Sequence, residues 1–374
     1  MKMLRLPPAA FGFAALLLVL GSGCRSLPRP GAPEPRKGDE IVIAGQFFHT
    51  GTPVVLWLDK GGYDAYRVER RFGPFDKAEW QPPQGSARDL KTPNRYGIRS
   101  VNVTQEQEAE ARSRGWDRTH FTPEQLEQVR GGGWDLPLLQ KVVDQFVIHF
   151  DVCGVSRTCF KVLQDDRDLS VHFMLDLDGT IYQTLDLKER AWHATISNDR
   201  SIGIEIANMG AYPAKGSNPF KTWYKHETNG TTVITLPPNL GDGGIRTKGF
   251  VGHPSRPEPV RGVTQGDDLV QYDFTPEQYA ALARLTATLC TVFPKIKCSY
   301  PVDGDGKLIN SKLPQADWEK YQGVLGHFHV QANKNDPGPA FQWDKVIGNA
   351  QGLMRGGQCQ PAPRESDETL KRKF

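Results

Sequence analysis

Three short stretches of this chain carry residue types that could share one catalytic task. "VLGHFHVQANKNDPGPAF" (324–341) brings together His327, His329, Lys334 and Asp336 ahead of a Pro-Gly-Pro stop. "FVIHF" (146–150) sets His149 in an apolar run, and "SIGIEIAN" (201–208) sets Glu205 among isoleucines and small residues. Imidazoles and a carboxylate are the ligand types of a catalytic zinc, a further carboxylate can serve as general base, and an ammonium can steady developing negative charge. Each residue also has a plainer reading. A strand histidine is often a core residue, a strand glutamate is often solvated, and 324–341 reads equally as a polar loop. The combination is what points to metal-assisted hydrolysis.

The elements that would position these residues follow from hydrophobic period. In "FVIHF", alternation puts Phe146, Ile148 and Phe150 on one face and Val147 and His149 on the other. "SIGIEIAN" does the same, with Ile202, Ile204 and Ile206 opposite Gly203, Glu205 and Ala207. Both polar residues therefore stand on strands whose other face is apolar. "VHFMLDLDGTIYQTL" (171–185) reads as a hairpin turning at Asp178-Gly179. "FTPEQ" occurs at 121–125 and 274–278, each copy a capping threonine followed by proline at the first helical position. The second opens a helix over about 276–292, where Tyr279, Leu282, Leu285 and Leu289 recur at helical steps.

Around this centre, residues 41–130 begin with the strand-like runs "EIVIAGQFF" and "PVVLWLD", separated by Thr50-Gly51-Thr52. This β-rich N-terminal region, of no assigned role, reads either as a small domain or as an elaboration on the main sheet. Residues 131–355 hold the catalytic candidates. Within them, 210–273 is rich in glycine and proline and reads as an insertion, mostly long loop, with one hairpin around "TNGTT". Residues 356–374 form a C-terminal tail. A formal net charge of +3 over 374 residues, without a basic block, argues against nucleic acid as a partner.

The N-terminus reads as an address. Lys2 and Arg5 precede an apolar run, Phe11–Leu20, too short to span a bilayer of about 30 Å. Residues 1–23 then lead straight into Cys24. This resembles the lipobox of bacterial lipoproteins, in which that cysteine is lipidated, although Gly21 stands where leucine is usual and Leu20 lies one step earlier. A plain secretory signal peptide is the other reading. Residues 24–40, with "RSLPRPGAPEPRKGD", form a Pro-rich tether. Export would make local disulfides plausible for Cys153 with Cys159 and for Cys290 with Cys298; buried free thiols are the alternative.

"FVIHF", "SVHFMLDLDGTIYQ", "AWHA" (191–194), "SIGIEIAN" and "GHFHVQANKNDPGPAF" appear in the order of the type 2 N-acetylmuramoyl-L-alanine amidases, and together they resemble that family, which includes phage lysozyme-type amidases and peptidoglycan-recognition proteins. The resemblance implies an α/β fold, with a central mixed β-sheet flanked by helices and a zinc site at one end of the strands. It implies His149, His327 and Asp336 as zinc ligands, Glu205 as the catalytic glutamate and Lys334 as the oxyanion partner. It places His193 and Asn198 along the substrate groove; Trp192, taken as a further substrate contact, and Tyr182 are aromatics that either stack on sugar or stem peptide or pack inside. His172 reads as structural, with a substrate contact as the alternative, His329 as a supporting or structural residue, and Cys153–Cys159 matches the small disulfide of peptidoglycan-recognition proteins.

The expected activity is zinc-dependent hydrolysis of the amide between N-acetylmuramic acid and L-alanine in peptidoglycan or muropeptides. The expected location is the periplasm, lipid-anchored to the outer membrane given Arg25 after Cys24. A non-catalytic peptidoglycan-binding lipoprotein is the alternative.

Overall fold

A computed structural model describes residues 31, 35–66, 135–167 and 169–356. The signal segment, most of the tether, the first "FTPEQ" and the C-terminal tail lie outside these. The described residues from Lys37 onward fall in one compact unit. The described part of the N-terminal region lies within that unit: Val54–Leu56 pairs with Ile181–Gln183 in the main sheet, while residues 40–49 form a two-stranded hairpin of their own.

The strands are β1 (Glu40–Ile43), β2 (Gln46–His49), β3 (Val54–Leu56), β4 (Gln145–Phe150), β5 (Phe173–Leu175), β6 (Ile181–Gln183) and β7 (Ser201–Ile206), then β8 (Tyr212–Pro213), β9 (Tyr224–His226), β10 (Thr232–Ile234), β11 (Val260–Thr264), β12 (Asp267–Gln271) and β13 (Gly323–Gly326). The helices are α1 (Leu136–Val142), α2 (Ser156–Lys161), α3 (Phe220–Trp223), α4 (Pro276–Val292), α5 (Gln315–Lys320), α6 (His327–Val330) and α7 (Trp343–Met354). The main sheet has the order β13-β4-β7-β5-β6-β3. It is parallel throughout except for the β5–β6 hairpin, so it is mixed, as expected.

Alternation along β4 and β7 decides what each face does. Phe146, Ile148, Phe150, Ile202, Ile204 and Ile206 form the main core with Leu282, Leu285 and Leu289 of α4 and Val346 and Ile347 of α7. On the other face, Val147 and Leu325 pack with Trp318 of α5, and Met174 packs with Cys159 of α2. The helix α4 starts as its sequence predicts: the Thr275 hydroxyl accepts from the Gln278 N–H, and the Gln278 side chain caps the Thr275 N–H in return.

Two readings change. "EIVIAGQFF" is not one strand but the β1–β2 hairpin, turned at Ala44-Gly45 with both φ angles positive, 52° and 75°. Such a turn needs left-handed backbone at two successive positions, which makes an Ala-Gly step easy to read as continuous strand. The insertion is also more ordered than a long loop: β9 and β10 form the expected hairpin, while β11, β12 and β8 form a separate three-stranded sheet. Among the described residues no helix is long and apolar enough to cross a membrane.

One buried ion pair ties the strand starts together. Arg200, immediately before β7, donates through Nε and Nη2 to the two carboxylate oxygens of Asp144, immediately before β4, at 2.6 and 2.5 Å. Its Nη1 also donates to the Glu319 carbonyl at 2.8 Å, and Nη2 to that of Tyr321 at 3.1 Å, on the approach to β13. Both partners are buried, so removing one leaves an uncompensated charge. Arg200→Ala is expected to lower stability by about 3–5 kcal/mol in urea unfolding, and Arg200→Lys to recover only part of this because the two-pronged contact is lost.

Candidate functional site

Sheet register assembles the site. In β4 and β7, His149 pairs with Glu205. Between β13 and β4 the last pair is Gly326 with Ile148, so His327, next along the chain, follows at the level of His149. Asp336 is carried back to the same place by the loop after α6, where the Phe328 N–H donates to the Asp336 carbonyl at 3.2 Å. Gly326 is required in this turn: a Cβ there would lie 2.7 Å from Cδ of Pro337.

The result is a triangle of donor atoms. Nδ1 of His149 lies 3.0 Å from Nδ1 of His327, and Oδ2 of Asp336 lies 2.8 and 3.0 Å from the two nitrogens. All three residues are buried. Each imidazole has a partner at its far nitrogen: Nε2 of His149 meets Nδ1 of His193 at 3.0 Å, and Nε2 of His327 meets Oε1 of Gln331 at 2.6 Å. With the ring protons on Nε2, two nitrogen lone pairs and a carboxylate oxygen converge. That is the donor set of an open catalytic zinc site, and the edges approach the roughly 3.3 Å of a tetrahedron with bonds of about 2.0 Å. The residues fit one such cation.

Electrostatics agree with a site built to hold positive charge. Burial, and then the neighbouring His327 ring, bring the His149 imidazole down to about 4, so it stays neutral near pH 7. Burial works against ionisation of Asp336, but His327 and His149 outweigh it and hold its carboxyl below the usual range. Glu205 goes the other way. Burial first, then the Asp336 and Asp151 carboxylates, push it well above its ordinary value, and its Oε2 is buried with no hydrogen-bond partner.

A cavity of about 610 Å³ opens over this triangle. Glu205 and Lys334 both line it, and the Lys334 ammonium makes no hydrogen bond or ion pair with any described residue. Trp192 lines it too, with the Arg190 guanidinium 3.9 Å above its ring centre. His193 is half-buried in the wall, bonded to His149. Asn198 does not line the cavity: it is buried, and its Oδ1 accepts from the backbone N–H groups of His193 and Ala194 at 3.0 and 2.7 Å. Its place is therefore under the groove, shaping the "AWHA" loop.

The other candidates are structural in the way their surroundings dictate. His172 is fully buried between the Glu189 carbonyl and the Gly203 N–H. His329 accepts from the Gly326 N–H and bonds the Ile309 carbonyl. Tyr182 is buried and stacked on Tyr63. The expected cysteine pairs are juxtaposed, Cys153 with Cys159 and Cys290 with Cys298, but all four are free thiols rather than disulfides.

Three functional positions carry no signal in the sequence. Gln265, at the β11–β12 turn of the insertion, lines the cavity and donates to the Phe328 and Gln331 carbonyls at 2.7 and 2.8 Å. Asp267 follows it into the rim. Gln331 supports His327. A lone glutamine in a turn or loop has no motif; only the fold brings it here.

The raised Glu205 carboxyl makes a stability prediction. Its proton is held more tightly in the folded state, so folded stability falls as pH rises above the ordinary glutamate value of 4.5. In chelator-treated protein, Glu205→Gln is expected to raise the melting temperature at pH 7, with the difference closing below pH 4.5.

A family model described as N-acetylmuramoyl-L-alanine amidase matches residues 139–339, more than half of the chain. No curated protein matches. Among solved structures, the chain is similar to the N-acetylmuramyl-L-alanine amidase AmiD from E. coli in complex with the substrate anhydro-N-acetylmuramic acid-L-Ala-D-gamma-Glu-L-Lys. The two are 18% identical over 59% of this chain and 60% of that one, with a TM-score of 0.30. It is also similar to a selenomethionine derivative of AmpD, 18% identical over 56% of this chain and 86% of that one, with a TM-score of 0.28. A third is the Staphylococcus aureus hydrolase AmiA in complex with its ligand, 11% identical over 58% and 77%, with a TM-score of 0.32.

Proposed function

Since this chain belongs to the N-acetylmuramoyl-L-alanine amidase family, we propose that it hydrolyses the amide between N-acetylmuramic acid and L-alanine in peptidoglycan or muropeptides. The observation that carries this reading is the convergence of the His149, His327 and Asp336 donor atoms within 4.8 Å of one another, at the floor of a cavity that Glu205 and Lys334 also line. A zinc ion held there would polarise the scissile carbonyl and bring the pKa of water down to about 7.

The protein groups divide the remaining work. Glu205, ionised in the working site, takes a proton from the attacking water as its oxygen adds to the carbonyl carbon. The carboxyl then returns that proton to the L-alanine nitrogen as the carbon–nitrogen bond breaks, so a free lactyl carboxylate and a free amine leave. Lys334 donates to the oxyanion between the two steps. Trp192, its ring covered by Arg190, offers an aromatic edge to the sugar or stem peptide.

We also propose that Cys24 is lipidated and that residues 24–40 tether the enzyme to the outer membrane, facing the periplasm. Cys24→Ser is then expected to move the protein from the membrane fraction to the soluble periplasmic fraction.

Mass spectrometry of products from defined muropeptides, with and without chelator, tests the activity. Glu205→Gln is expected to lower kcat by about 10²–10⁴-fold and Lys334→Ala by about 10²-fold. Asp336→Ala is expected to abolish both zinc retention and turnover. Muropeptide binding with no cleavage by the zinc-loaded wild type would instead favour the non-catalytic reading.

A further inference from the structure

His149 turns only one ring nitrogen toward His327 and Asp336. Its Nδ1 faces them, while Nε2 points away to Nδ1 of His193 at 3.0 Å. Two imidazoles at this distance share one proton. Which ring carries it decides whether Nδ1 of His149 offers a lone pair or an N–H.

The far end of the chain of contacts answers this. The Ser197 main-chain carbonyl can only accept, so Ser201 Oγ, 2.6 Å from it, donates its proton there. Ser201 Oγ then has only lone pairs to offer Nε2 of His193 at 3.2 Å, which must therefore carry a hydrogen. A neutral His193 protonated at Nε2 has a bare Nδ1. The proton between the two rings thus belongs to Nε2 of His149, and Nδ1 of His149 keeps its lone pair.

A second observation shows that the His193 ring is held in place for this. A Cβ at Gly203 would lie 2.5 Å from Nδ1 and 2.6 Å from Cε1 of His193, so β7 has to carry glycine where the ring lies against it. Beneath it, Asn198 Oδ1 accepts from the His193 and Ala194 backbone N–H groups. Ring and main chain are both fixed.

We propose that His193 is a positioning residue for His149: together with Ser201 and Gly203 it fixes the tautomer that presents Nδ1 to a divalent metal ion, and the affinity of the site for that ion depends on it. This rests on the zinc reading of the site given above.

The test uses the full chain, stripped of metal, with the zinc Kd measured by competition against a chromophoric chelator and the cobalt(II) absorption spectrum recorded in parallel. His193→Phe, which fills the space but removes the acceptor, is expected to weaken zinc binding by about 10–100-fold. His193→Asn, whose Oδ1 can take the place of the lost Nδ1, is expected to stay within about threefold of wild type with a wild-type cobalt spectrum. If His193→Phe does not fold, Ser201→Ala carries the test, since it frees the far end without touching His149; a several-fold weakening is expected. Wild-type zinc affinity in folded His193→Phe, or an equal loss in His193→Asn, overturns the proposal, as does wild-type affinity in Ser201→Ala where that variant stands in. A wild-type protein that binds no zinc removes the zinc reading itself, and the relay with it.

Discussion

The parallel register of β13, β4 and β7 is the constraint on which the site depends. It sets Ile148 against Gly326 and His149 against Glu205, and so brings three chemically useful residues to one level from segments far apart in sequence. A slip of one residue would turn His149 and Glu205 into the isoleucine core and bring Ile148 and Ile204 to the cavity. The slip is opposed at the other end of the strands, where Arg200 and Asp144 form a buried two-pronged pair and Arg200 reaches on to the Glu319 and Tyr321 carbonyls. Six buried side chains on the opposite face, from Phe146 to Ile206, favour the same register through apolar burial.

Charge balance is the price of that placement. Asp151, Glu205 and Asp336 are all carboxyls lining the cavity, Asp336 buried and the other two half-buried. Asp151 is pushed up to about 7 by burial although its Oδ1 accepts from the N–H groups of Cys153, Gly154 and Asn208. Glu205 is raised further by Asp336 and Asp151 and has no donor at Oε2. Only Asp336, between two imidazoles, is held ionised. A cation at the triangle would ease the repulsion that Asp336 imposes on Glu205, which links ligand binding to the readiness of the base.

How much of this was legible in the sequence depended on the range over which the causes act. Alternation is local, so "FVIHF" and "SIGIEIAN" disclosed that His149 and Glu205 stand opposite an apolar face. The cap of α4 is local as well, and Thr275, Pro276 and Gln278 announced it. The assignment of His327 and Asp336 to one site came from resemblance, because nothing within 324–341 states how its loop folds. Asn198 was misplaced for a related reason: a motif records that a residue is kept near the groove, but not whether its side chain faces the groove or, as here, the backbone beneath it. The Ala44-Gly45 turn was hidden because alanine at positive φ is uncommon.

The insertion shows most clearly what sequence reading could not supply, and why the fold needs it. The loop that carries Asp336 doubles back through Pro337-Gly338-Pro339, and its turn at residues 336–338 and Ala340 are buried, so the backbone polar groups there require partners other than water. Gln271 of β12 provides them, donating to the Pro337 carbonyl at 3.0 Å and accepting from the Ala340 N–H at 3.0 Å. The fit is close enough that a Cβ at Gly338 would overlap the Gln271 amide. At the other end of the same hairpin, Gln265 bonds the Phe328 and Gln331 carbonyls, and the Gln331 side chain accepts from His327. One hairpin of the insertion therefore braces both His327 and the Asp336 loop. Residues 210–273, which read as an elaboration between two catalytic segments, serve instead as the buttress that holds the second segment against the first.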